Sequence, residues 1–135
     1  MARLSTVTSA PLRHDDLSDA EYDRRARDVL AAVEAASDRF LQDEVIDIDT
    51  SRTGGLLELE FPNGSKVVVN KQPPLHELWL AARSGGFHFH WSEGAWITND
   101  GQELFARLSE EVSVQAGRPL EWPRDGDGTG SAAAR

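Results

Sequence analysis

The chain has 135 residues, 39% of them hydrophobic, and a formal net charge of −9, which fits one core of ordinary domain size. It contains no cysteine, so disulfide scaffolding, thiolate catalysis and Cys-ligated zinc or iron–sulfur clusters are excluded, and any metal must sit on oxygen or imidazole. The charge is uneven: positions 28–60 hold nine acids against two bases, Arg39 and Arg52, a field that repels nucleic acid and anionic membrane and attracts cations or basic protein surfaces.

Positions 1–17 mix Ser, Thr, Ala, Pro and charges without a period, and positions 123–135 are mostly Gly, Ala and charged residues. Neither buries enough to offset ordering entropy, so both are expected to be disordered extensions around a domain at 18–122. No apolar run approaches the ~20 residues that span a bilayer, and the N-terminal stretch has no charged-then-apolar pattern, so a soluble cytoplasmic protein is expected.

Leu17-Ser18-Asp19-Ala20-Glu21-Tyr22 opens a helix, with Ser18 as N-cap, Glu21 in the capping-box position and Leu17 placed to staple against Tyr22. Tyr22, Ala26, Val29, Leu30, Val33, Ser37 and Phe40 hold one buried stripe to about Leu41. Strand patterns follow at 44–49, 56–61, 66–70, 76–83, 87–91 and 95–98, and Pro62-Asn63-Gly64-Ser65 marks the tight turn between the second and third. A second helix is expected from near Asp100, with Glu103 completing its cap and Gly117 ending it; Pro119, Leu120 and Trp122 make an apolar strap for the helices' flank. Consecutive strands with short turns form a meander, and two amphipathic helices need a face to bury. The prediction is an α+β fold: a two-layer α–β sandwich with both terminal helices on one face of an antiparallel sheet of about six strands.

Common catalytic parts are missing from the sequence: there is no phosphate-cradling Gly-rich loop, nucleophile elbow or HExxH. The chain is therefore expected not to be an enzyme. His88 and His90 share a strand face, but no third ligand stands at a telling spacing, and histidines on a solvated face are common. Trp79 lies opposite Leu78 and Leu80, hence on the open side of the sheet, either as an interface anchor beside Asn70, Lys71 and Gln72 or covered by a neighbouring strand.

The acids divide into two groups. Glu21 with Arg25, Asp23 with Arg27 and Arg24 with Asp28 stand four apart and neutralise one another. Glu34 and Asp38 are like-charged at the same spacing, Asp38, Asp43 and Glu44 crowd a helix C-terminus where the macrodipole disfavours anions, and Asp47 and Asp49 share a strand face. Charge on an edge strand also discourages aggregation, but Lys serves that purpose as well as Asp. The surplus favours a ridge that binds hard cations weakly, or a basic partner.

The helix–meander–helix order, the acidic first helix and first strand, the run from Phe61 to Phe89 (FPNGSKVVVNKQPPLHELWLAARSGGFHF) and the Asp100-Gly101 pair before the last helix resemble the frataxin family, in its bacterial branch. The similarity spans about Ser18 to Trp122. It implies the frataxin sandwich, weak binding of ferrous or ferric iron, no organic cofactor, and a role in iron–sulfur cluster assembly through a cysteine desulfurase and its scaffold protein. The residues it places on the iron and desulfurase ridge are Glu21, Glu34, Asp38, Asp43, Asp47 and Asp49, joined by Glu44 on charge pattern. Asn70, Gln72 and Trp79 match the family's partner-binding sheet surface. A monomeric regulator or adaptor is expected; an oligomeric iron-storing or ferroxidase protein is the alternative, although no Glu-x-x-His pair stands on either helix.

Overall fold

The computed structural model describes residues 16–122; the expectations for 1–15 and 123–135 lie outside the described residues. Helix α1 (Asp19–Gln42) precedes six strands, β1 (Asp49–Thr53), β2 (Leu56–Glu60), β3 (Lys66–Gln72), β4 (Glu77–Ala82), β5 (Gly85–Ser92) and β6 (Ala95–Ile97), and α2 (Leu104–Ala116) follows. The strands form one antiparallel sheet in sequence order. The predicted two-layer sandwich is therefore the observed fold.

Side-chain alternation fixes the inner face of the sheet. Cross-strand partners Leu57, Val69, Leu80 and Phe87 run in one row, and Leu78 pairs with Phe89 in the next. These rows share a core with Tyr22, Leu30 and Val33 of α1 and Leu104, Leu108 and Val112 of α2. The opposite rows, such as Asn70–Trp79–His88, face away from the helices.

Ser18 caps α1 as expected, its Oγ accepting from the Glu21 amide at 3.0 Å. The helix ends at Gln42, within one residue of the expected Leu41, but the strand that the sequence pattern placed at 44–49 does not follow it. Glu44 adopts φ 57°, its amide donates to the Leu41 carbonyl (3.0 Å) and the Val45 amide donates to Phe40 (2.8 Å). The chain thus wraps the helix end before β1 begins at Asp49. Apolar burial drives this: Ile48 is buried and Ile46 packs against the core, while all five residues of β1 are exposed.

The β2–β3 connection closes through Phe61, whose amide donates to Ser65 and whose carbonyl accepts from Gly64; Gly64 has φ 87°, which favours glycine. Helix α2 begins at Leu104 rather than near Asp100, because Glu103 is itself the N-cap, accepting from the Ala106 and Phe105 amides. Asp100 instead accepts from the Thr98 hydroxyl in the preceding turn, which holds its carboxyl below the usual range. Gly117 (φ 75°) ends α2. The expected strap follows: the Trp122 indole is buried and meets Phe40 edge-on at 5.2 Å, and its amide donates to Ser109 Oγ.

Candidate functional site: an acidic ridge beside an open sheet face

The seven carboxylates singled out in the sequence fall into two groups. Glu21 and Glu34 are engaged. Arg25 pairs with Glu21 at 2.8 Å while its guanidinium lies over the Trp91 ring, 4.5 Å from the centroid, and Arg52 of β1 pairs with Glu34 of α1 at 2.8 Å. Asp38, Asp43, Glu44, Asp47 and Asp49 are exposed and make no ion pair or side-chain hydrogen bond among the described residues. They run from the last turns of α1 through the wrapped turn to the start of β1.

The local fold explains why these five are left over. The αL turn at Glu44 and the buried Ile48 hold 43–48 against the core, so the intervening polar side chains point into water. Asp47 and Asp49 are both exposed, but only Asp49 belongs to the strand, so the two do not share a strand face as expected. Asp49 stands directly opposite Glu60, a like-charge cross-strand pair that costs stability. Lys66, opposite Glu60, instead forms its ion pair with Glu58 at 3.1 Å, which raises the lysine's pKa. Arg118 enters from beyond α2 and donates to the Val45 carbonyl inside the turn.

The first half of α1 is largely neutralised as predicted. Asp23 pairs with Arg27 at 2.8 Å and also with Lys71 of β3, and those hydrogen bonds, Lys71's first, hold its carboxyl below the usual range. Arg24 departs from expectation, turning back toward Glu21 at 4.0 Å rather than forward to Asp28. Among the described residues no three His, Asp or Glu side chains are grouped to hold a metal ion. Hard cations would meet the ridge as separate carboxylate oxygens.

On the open face, Trp79 lies between its cross-strand partners Asn70 and His88. The His88 imidazole stacks on the indole with centroids 4.1 Å apart and planes 7° from parallel, and Trp79 Nε1 donates to Glu77 Oε1 at 2.8 Å. Trp79 is thus half-buried by a neighbouring strand while still bordering solvent. Gln72 lies at the end of β3, where its backbone amide donates to the Tyr22 hydroxyl at 3.0 Å. His88 was missed as a member of this surface; centring the hairpin on Arg83-Ser84, so that Ala82 faces Gly85, brings it opposite Trp79. His90, expected on a solvated face with His88, is buried at 2% exposure.

Comparison with known proteins agrees with this architecture. A family model described as a frataxin-like domain matches residues 15–118. The chain belongs to the frataxin family. It is 49% identical over 107 residues to a protein of Variovorax paradoxus named iron-sulfur cluster assembly protein CyaY, covering 78% of this chain and 97% of that one. A protein of the same name from Paraburkholderia phymatum is 50% identical over 106 residues, with 78% and 97% covered. Among solved structures, the frataxin of Psychromonas ingrahamii superposes with a TM-score of 0.68 at 30% identity, covering 79% of this chain and 99% of that one. Yeast frataxin superposes at 0.61 and 29% identity, with 73% and 82% covered. Among the described residues of this frataxin-family chain, no helix is long and apolar enough to cross a membrane.

Proposed function

We propose that this chain is a non-enzymatic, iron-binding regulator or adaptor of iron–sulfur cluster assembly that docks on a cysteine desulfurase and its scaffold protein in the cytoplasm. The observation that carries the reading is the run of five exposed carboxylates without partners, Asp38, Asp43, Glu44, Asp47 and Asp49. A folded surface gains nothing from placing repelling charges at a helix C-terminus and opposite Glu60 unless a cation or basic partner relieves them. The name of the relatives at 49% and 50% identity supports the pathway. The absence of cysteine leaves the chain unable to scaffold a thiolate-held cluster itself.

In this role the ridge meets Arg and Lys of the desulfurase, and Asn70, Gln72 and Trp79 present the sheet face to the complex as a monomer. Glu21 and Glu34 serve as ligands only when their arginines are drawn away. Iron, ferrous or ferric, is cargo or modulator, held weakly by exposed oxygens and screening the ridge when bound. An NMR titration of the labelled protein with anaerobic ferrous iron, and separately with the desulfurase, tests both halves. Shifts at Asp38 to Asp49 in both titrations are expected. Iron that leaves these signals unmoved removes the carrier role, and a desulfurase that leaves them unmoved removes the docking role.

A second reading has its own support. A trimeric yeast frataxin described as complexed with ferrous superposes with a TM-score of 0.51 at 28% identity, which keeps an iron-storing oligomer in view. Sedimentation before and after iron loading, with oxygen uptake, separates the two: a persistent monomer that oxidises iron no faster than free carboxylate buffer excludes the storage role.

A further inference from the structure

We propose, resting on the docking reading above, that the free edge of β1 takes up an extended basic segment of the partner by main-chain pairing, adding a seventh strand to the sheet. The hydrogen-bond parity of the sheet defines that edge. Lys71 donates to Gly55 and Phe61 to Ser65, so odd-numbered β2 residues bond to β3 and Leu56, Glu58 and Glu60 bond to β1. Asp49, Ser51 and Thr53 therefore point their backbone groups at β2. The N–H and C=O groups of Thr50 and Arg52 point outward, with no partner among the described residues.

The two ends of the sheet are treated differently. β6 is three residues long, and beyond it Ile97 bridges to Glu103 while the Thr98 amide donates to Gln102, so that edge is closed by its own chain. β1 carries no proline or bulge, and the one cation on it, Arg52, turns its side chain back to Glu34 instead of shielding the edge. An edge left in this state is a template for strand addition.

Charge selects the occupant. Asp47 and Asp49 stand where the edge begins, and Asp49 already faces Glu60. A second copy of this chain would bring no free cation to Asp47 and Asp49, since the one cation on β1, Arg52, is held by Glu34, whereas an extended segment carrying Lys or Arg is drawn in by them. Main-chain bonds at Thr50 and Arg52 then supply a register that side-chain charges alone lack.

A capped peptide alternating Lys and Val, titrated into the labelled full chain at two salt concentrations, provides the test, beside the same peptide N-methylated at every residue. The two peptides carry equal charge, but the methylated one has no backbone N–H left to donate along either edge. The unmethylated peptide should bind about tenfold more tightly and slow amide exchange at Thr50 and Arg52, leaving Ser51 and Thr53, already bonded to β2, unchanged. Equal affinity of the two peptides, no binding, or unchanged exchange at Thr50 and Arg52 overturns the proposal. A dimer that protects the same two amides without peptide would make a second copy the occupant and also overturn it. The desulfurase titrated in parallel separates the outcomes: if it does not bind while the peptide contrast holds, the docking reading fails and the edge site stands; if it binds without protecting Thr50 and Arg52, the edge site fails and the docking reading stands.

Discussion

Arg52 on the edge strand β1 reaches back to Glu34 on α1, 2.8 Å away, and so removes one carboxylate from the acidic ridge while fastening the outermost strand to the first helix. Both side chains are about one-third exposed, so the pair is expected to contribute about 0.5–1 kcal/mol. Arg52→Ala should lower stability by that amount in urea unfolding and, by freeing Glu34, tighten cation binding at the ridge. A double-mutant cycle with Glu34→Gln isolates the coupling; a cycle that closes to zero would mean the pair is not formed in solution.

Replacing Asp47 and Asp49 together by Lys breaks no ion pair among the described residues and changes exposed positions only. Far-UV circular dichroism should therefore match that of the parent chain and the unfolding midpoint should be equal or higher, because Asp49→Lys turns the like-charge pair with Glu60 into an opposite-charge one, while binding to the desulfurase at moderate salt is lost. Retained binding would place the docking surface elsewhere.

Tyr22 is buried, donates to the Glu77 carbonyl at 2.7 Å and accepts from the Gln72 amide at 3.0 Å. Tyr22→Phe removes both hydrogen bonds from a buried site and should cost about 1–3 kcal/mol. Burial pushes the phenol from 10.0 up to about 12, so the folded state holds this proton more tightly than the unfolded chain. The corresponding stabilisation is complete below pH 10 and is lost as pH rises towards 12, about 3 kcal/mol over the window. Denaturant unfolding between pH 9 and 12 should show a steeper decline for the parent than for the Phe variant, and parallel curves would contradict the assignment.

Trp122 closes the flank of the helices against Phe40. Trp122→Ala should destabilise the chain by about 3–5 kcal/mol, read as a lower thermal midpoint. The ridge residues should keep their NMR positions apart from those beside Phe40. A loss under about 1 kcal/mol would show that the strap is dispensable to the core.

Much of the molecule follows from pattern alone. The stripe on α1, the alternation in β2 and β3, the Asn63-Gly64 turn and the Gly117 stop are local preferences, and nothing distant overrides them. The surplus of acids between Glu34 and Asp49 is equally plain in the sequence, because charge composition needs no coordinates. Legibility failed at 44–49, where alternating residues suggested a strand. Periodicity shows which side chains are buried, and the same burial is met by a turn that folds Ile46 and Ile48 under the helix end.

Local pattern and composition specify the sandwich, the family and the location of the excess negative charge, which are all legible from neighbours along the chain. Which carboxylates remain without partners was settled by packing, since Glu34 meets Arg52 and Asp23 meets Lys71 across 18 and 48 residues of chain. Only the sheet register stacked His88 on Trp79 and turned the backbone groups of Thr50 and Arg52 outward. The physical reason is common to these cases: ion pairing, stacking and backbone bonding depend on distances of a few ångströms, set by strand register and helix docking.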